Sequence, residues 1–188
     1  GDRGGGKSFG TLEYCVARFI KAGDQFIYLR RYKEELDDSL PTLFDALIKE
    51  GKFSRHELSV KGKYIYCDGK VMGYAVALST YMKRKSVNYS NVKYIIFEEF
   101  MVDGVSSRYL GTADKEVAVF ENFYETVDRL RDETRVFFLA NAFSMVNIYF
   151  MRYKIRLKPP YKTYNKLGNI MVCIWQDQSY REAKMKTR

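Results

Sequence analysis

The clearest chemistry in the chain lies in its opening residues. Gly1-Asp2-Arg3-Gly4-Gly5-Gly6-Lys7-Ser8 fits the spacing G-x-x-x-x-G-K-[ST] with no mismatch. Glycines accept positive φ, so successive N–H groups of such a loop can turn inward onto phosphate oxygens. The stretch Gly1, Arg3, Gly4, Gly5 and Gly6 would then cradle phosphate, and Lys7 would reach the β- and γ-phosphates. The Ser8 hydroxyl is a hard oxygen suited to Mg²⁺. The motif therefore points to a nucleoside triphosphate site with Mg²⁺. It could also be a chance match in a glycine-rich loop, but it runs directly into an amphipathic segment.

Three further groups of residues could complete such a site. Glu98-Glu99 closes the apolar run Tyr94-Ile95-Ile96-Phe97. Carboxylates at the C-terminal end of a buried strand face the crevice where α/β sheets bind ligands. Glu98 would sit on the metal side, and Glu99 would orient and deprotonate the attacking water. The plainer reading is a solvated acidic pair. Asn141 follows another apolar run, Val136–Ala140, and is either a contact to the γ-phosphate or lytic water, or a turn former. Arg129-Leu130-Arg131 ends a helical pattern. There an arginine could stabilise transition-state charge, although cations at a helix C-terminus are favourable on their own account.

The elements that position these residues read as follows. Phe9, Leu12, Val16, Phe19 and Ile20 recur at helical spacing, so the glycine loop feeds a helix N-terminus whose dipole favours anions. Gly23 ends that helix, and Gln25–Leu29 is a buried strand ending in Arg30-Arg31-Tyr32-Lys33. Ser39 before Pro41 predicts an N-cap and a helix carrying Leu43, Phe44, Leu47 and Ile48 to Gly51. Leu58–Val60, Tyr64–Cys67 and Val71–Leu78, with a turn at Asp68-Gly69, predict a β-meander. Thr80–Asn91 is polar and basic, and Glu116–Leu130 is helical in its spacing. Val136–Ala140 and Ile170–Trp175 are the last strands expected. Continuous apolar strands alternating with helices predict an α/β fold with a mostly parallel sheet, flanked by helices and carrying an inserted β-meander. A strand normally precedes this glycine motif, so the sheet is expected to draw one from upstream of Gly1.

The 188 residues are 46% hydrophobic and 16% aromatic, which excludes disorder as the general reading. No apolar run is long enough to span a bilayer, so no membrane partner is expected. Cys15, Cys67 and Cys173 are far apart and read as buried free thiols of a reducing compartment, not as a disulfide frame or zinc site. The single His56 reads as a surface residue, because one histidine cannot anchor a histidine-based metal site. Lys and Arg number 32 against 23 acidic residues, a net charge of +9, which favours a polyanionic partner such as nucleic acid.

Several stretches together resemble a known family: GDRGGGKS, Gln25–Lys33, Ile95–Phe100, Leu139–Ala142 and Val146–Phe150. They are similar, in the same order, to the ATPase domain of phi29-like bacteriophage DNA-packaging motors, and Phe26–Leu36 is more specific to that family than the glycine motif. The likeness runs from Gly1 to about Phe150. It implies a P-loop fold of the additional-strand, catalytic-glutamate (ASCE) type and a homomeric ring, a pentamer, at the portal vertex of a procapsid. The enzyme implied is an ATPase whose hydrolysis drives double-stranded DNA inward without regard to sequence. By position, Lys7 and Ser8 hold phosphate and Mg²⁺, while Glu98 and Glu99 take the metal-side and catalytic roles. Arg129 falls where an arginine finger acts on a neighbouring subunit's ATP. Lys85 falls at a basic position used between subunits; Lys83 and Arg84 are DNA or subunit contacts. The resemblance also implies portal and prohead RNA partners, and a location in the host cytoplasm with transient attachment to the procapsid. On it, residues 1–157 form the ATPase domain, 158–188 form a terminal strand and basic linker, and a nuclease-like C-terminal domain lies beyond. Rival readings are a P-loop small-molecule kinase, which would need a mobile arginine-bearing lid, and a nucleotide switch that does not hydrolyse.

Overall fold

The computed structural model describes residues 6–84, 87–102, 108–141, 147–157, 163–164 and 168–174. Helix α1 (Lys7–Ala22) buries Leu12, Cys15 and Val16, with Phe9 and Phe19 packed beside them. This is the stripe the spacing predicts, except that Ile20 is exposed. Gly23, at φ 75°, closes the helix by donating 2.8 Å to the Phe19 oxygen, the usual left-handed glycine stop.

Strand β1 (Gln25–Arg30) follows and lies at the centre of the sheet. The strands β2 (Leu58–Lys61), β3 (Tyr64–Cys67), β4 (Lys70–Ala77), β5 (Val92–Glu98) and β6 (Arg135–Leu139) complete the order β2-β3-β4-β1-β5-β6. β4, β1, β5 and β6 are mutually parallel, while β2 and β3 extend one edge in antiparallel fashion. The expected meander is thus present and continuous with the main sheet, because its third strand pairs with β1. That pairing needs a glycine: a Cβ on Gly73 would meet the Phe26 carbonyl oxygen at 2.5 Å. Phe26, Ile27, Leu29, Ile95, Ile96 and Phe97 are all buried. Such unbroken apolar runs require cover on both faces. One face packs with Leu12, Cys15, Val16 and the Leu36–Leu47 segment. On the other, helix α4 (Ala113–Asp128) stacks Phe120 on Phe97 at 5.7 Å, with Phe138 against both.

Several local expectations differ from the structure. A helix that the spacing does not predict, α2 (Lys33–Ser39), precedes the one expected from Ser39, with the Glu35 carboxylate accepting from the Tyr32 N–H at 3.4 Å. Ser39 is the last residue of α2 and also the N-cap of the 3₁₀ turn that follows, but its hydroxyl donates back to the Leu36 oxygen at 3.1 Å and so makes no cap bond. Pro41 then sits in a 3₁₀ turn (Leu40–Thr42) before the short helix α3 (Asp45–Lys49). A 3₁₀ segment, Leu78–Arg84, runs into the polar and basic stretch Thr80–Asn91. Helix α4 runs three residues earlier than its periodicity suggests and stops at Asp128, leaving Arg129 and Leu130 in left-handed conformation. Helix α5 (Ile148–Arg152) is capped by Asn147, whose side chain accepts from the Phe150 N–H at 3.0 Å. Among the described residues the last strand is only β8 (Met171–Val172), paired with β7 (Thr163–Tyr164) in a separate ladder; Trp175 lies outside the described residues. Cys173 is exposed, not buried, whereas burial pushes the Cys15 thiol up to about 12.

The chain divides into two compact units. One gathers Ser8–Phe100 with Ala118–Leu139 and contains the six-stranded sheet; the other gathers Gly1–Lys7, Met101–Val117 and Ala140–Arg188. Inside the second, the fully buried Glu116 carboxylate accepts from the Tyr149 hydroxyl at 3.0 Å and the Leu110 N–H at 2.8 Å. No helix among the described residues is long and apolar enough to cross a membrane.

Candidate functional site

Of the glycine motif, Gly1, Arg3, Gly4 and Gly5 lie outside the described residues. Gly6 has φ 68°, the left-handed conformation that a phosphate-cradling loop demands of glycine. Lys7 and the exposed Ser8 are the first two residues of α1. They stand where unpaired helical N–H groups and the dipole favour an anion. Lys7 Nζ donates to Asn141 Oδ1 at 3.3 Å. A contact across 134 positions therefore joins the motif lysine to the amide that follows β6.

The acidic pair sits at the C-terminal end of β5: Glu98 is its last residue, and Glu99 follows. A cation missing from the sequence-based candidates holds them. The Arg30 guanidinium, 8% exposed at the end of β1, donates from Nη2 to Glu99 Oε2 at 2.7 Å. Its Nη1 lies 3.9 Å from Glu98 Oε2 and its Nε 3.7 Å from Glu35 Oε2. Burial works against the charge of Arg30, but Glu99, Tyr28, Glu35 and Glu98 outweigh that and hold its pKa above the ordinary value.

The next residue fixes the main chain. Arg31, 1% exposed, donates from Nη2 to the Phe100 oxygen at 2.7 Å and from Nη1 to the Glu99 oxygen at 3.2 Å. Its guanidinium also lies 5.9 Å from the centre of the Phe97 ring. Glu99 is left-handed, at φ 53°, a conformation costing a non-glycine residue about 1–2 kcal/mol. Arg31 and the Phe100 N–H, which donates 3.3 Å to the Leu139 oxygen, hold that turn. The Arg30-Arg31 doublet at the end of a buried strand was the sequence signal for both roles.

The structure does not bring Arg129 to the glutamates. Arg129 precedes β6, and neighbouring contacts tie its turn to the start of β5: Lys93 pairs with Glu133, and Arg131 donates to the Ser90 oxygen. Glu98 and Glu99 lie at the other end of β5, about 20 Å away along a strand of this length. Arg129 is exposed, at φ 50°, and the following Leu130 is 97% exposed. Beneath them the Asp128 carboxylate accepts from the Asp132, Glu133 and Thr134 N–H groups at 2.9, 3.2 and 3.0 Å. Lys83 and Arg84 end the 3₁₀ segment Leu78–Arg84, and Lys85 lies outside the described residues.

Over residues 1–188 the sequence matches the family of the podovirus DNA encapsidation protein (Gp16). The chain belongs to that family. The DNA packaging protein of Bacillus phage phi29 is 38% identical over 188 residues, all of this chain and 54% of that protein. The chain thus spans about half the length of the curated relatives it matches. The crystal structure of the N-terminal domain of the DNA packaging ATPase from bacteriophage phi29 is similar at a TM-score of 0.75 and 34% identity, covering 95% of this chain and 89% of that one. The phi29 viral genome packaging motor assembly contains a chain similar at a TM-score of 0.79 and 38% identity, covering 100% of this chain and 56% of that one. The mixed α/β fold of this encapsidation-family chain therefore matches that of the ATPase N-terminal domain.

Proposed function

We propose that this chain is the ATP-hydrolysing domain of a viral DNA-packaging motor, with the P-loop fold of the additional-strand, catalytic-glutamate type. The observation that carries the reading is the hydrogen bond from Lys7 to Asn141, because it joins the phosphate-motif lysine to a polar group that can follow the γ-phosphate. Gly1, Arg3, Gly4, Gly5 and Gly6 line the phosphate path, and Lys7 neutralises the β- and γ-oxygens. The Ser8 hydroxyl and the Glu98 carboxylate are hard oxygen donors that fit Mg²⁺, which supplies charge neutralisation at the phosphates. Glu99 orients the attacking water and takes its proton. The packaging relatives and the net charge of +9 support double-stranded DNA as the moved polymer, gripped through its phosphates without base readout.

Arg129 acts in trans. Its position at the opposite end of the strands from Glu99 supports a role on the ATP of a neighbouring copy, which makes the working form a homomeric ring, a pentamer, with Lys83, Arg84 and Lys85 touching DNA or the next subunit. Residues 1–157 carry the ATPase, with 158–188 as a terminal strand and basic linker. The ring docks on the portal and prohead RNA of a procapsid in the host cytoplasm. The test is phosphate release with and without duplex DNA at several salt concentrations. Lys7→Ala abolishes nucleotide binding, whereas Glu99→Gln binds and turns over about 10²–10⁴-fold more slowly. Unimpaired turnover by Glu99→Gln removes the base assignment, and DNA binding indifferent to salt removes the electrostatic grip.

A further inference from the structure

Away from the nucleotide site, the start of β2 and the end of β3 bring three different donors together. Asp68 Oδ2 lies 2.7 Å from His56 Nδ1 and 3.8 Å from Cys67 Sγ, and all three donor atoms fall within 4.8 Å of one another. We propose that His56, Cys67 and Asp68 form a binding site for a zinc-class divalent ion at the open end of the β2–β3 hairpin.

The geometry is close to what such an ion needs. Zinc binds thiolate sulfur at about 2.3 Å and imidazole nitrogen or carboxylate oxygen at about 2.0–2.2 Å, so tetrahedral donors lie roughly 3.3–3.7 Å apart. The sulfur–oxygen separation, 3.8 Å, must close slightly. The imidazole and carboxylate must part by less than an ångström, on the order of what two partly exposed side chains can do by rotation. A mixed sulfur, nitrogen and oxygen set suits a borderline-soft cation such as Zn²⁺ and not Mg²⁺. The Cys67 thiol proton leaves to solvent as the metal–sulfur bond forms, and water takes the fourth position on the exposed side.

The main chain holds the donors in place without the metal. His56 N–H donates to the Phe53 oxygen at 2.8 Å, and Asp68 N–H donates to the Glu57 oxygen at 2.9 Å. Asp68 Oδ1 accepts from the Glu57 N–H at 2.8 Å, which leaves Oδ2 turned toward His56 and Cys67. Asp68 and Gly69, at φ 50° and 71°, form the primed turn into β4. Leu58 and Cys67 are the first residue pair of the ladder, so the site closes an otherwise open end.

Cobalt(II) is the probe. Titrating the reduced 188-residue chain with Co²⁺ should produce, at one equivalent, a near-ultraviolet thiolate-to-cobalt band and the visible bands of tetrahedral cobalt. Both should disappear when Zn²⁺ is added and persist in excess Mg²⁺. His56→Ala, a surface change that spares the core, and Cys67→Ser should each lose the bands. Cys173→Ser and Lys7→Ala should keep them, the latter separating this site from the nucleotide site. A spectrum of octahedral cobalt only overturns the proposal. So do bands that survive His56→Ala or vanish in Cys173→Ser.

Discussion

Arg31 reaches from the end of β1 to the main chain of the acidic pair, its Nη1 lying 3.2 Å from the Glu99 oxygen. Its other amino group meets the Phe100 oxygen, so one buried guanidinium sets where the Glu99 side chain departs. Arg31→Ala should lower unfolding stability by roughly 2–4 kcal/mol, since buried acceptors lose their donor and a cavity is left. Urea denaturation measures that loss. Arg31→Lys should recover only part of it, because an ammonium cannot make both contacts with a planar fork.

Arg30 supplies the charge where Arg31 supplies the shape. It touches Glu99 directly and faces Glu98 and Glu35 at longer range. In a double-mutant cycle, Arg30→Met and Glu99→Gln should couple by about 0.5–1 kcal/mol, the lower part of the range for contacting residues. The Glu99 side chain is 58% exposed, so solvent screens the pair. Additive effects would show that the contact carries no energy.

Arg129 lies at the opposite end of the strands from Glu99, and it predicts complementation. Arg129→Ala alone should slow ATP turnover by about 10³-fold. Mixed with Lys7→Ala subunits, which are inactive for a different reason, it should regain measurable phosphate release. An absence of rescue at every mixing ratio would place Arg129 outside the catalytic machinery.

Asp128 predicts an acid limit to stability. Burial raises its pKa, but the N–H groups of Thr134, Asp132 and Glu133 outweigh that and hold it below the usual carboxylate range. A lowered folded-state value means the stabilisation is present above the unfolded-state pKa and is lost as pH falls through the folded one. Thermal unfolding of Asp128→Asn should therefore differ most from the parent at neutral pH and converge with it in acid. The same variant should loosen the turn that presents Arg129 and depress turnover more than nucleotide binding.

The sequence alone determined whatever depends on neighbours in the chain. The glycine motif set the start of α1, whose stripe of apolar residues gave its buried face. The unbroken apolar runs Phe26–Leu29 and Tyr94–Phe97 required cover on both sides, which only a largely parallel sheet between helices provides. The glutamate pair was legible because it ends such a run, and the family was legible in the order of its motifs. Tertiary structure decided what depends on register between strands. Leu29 pairs with Phe97, and only that pairing puts Arg30 and Arg31 beside Glu98 and Glu99, with more than sixty positions between them. The start of α2 escaped for a local reason: its cap comes from Glu35, inside the helix, and not from a residue before it. The strand end occupied by Arg129, and the meeting of His56, Cys67 and Asp68, follow from which strands lie side by side. Periodicity reports how a residue is buried, whereas the partner it meets is chosen by packing across the whole sheet.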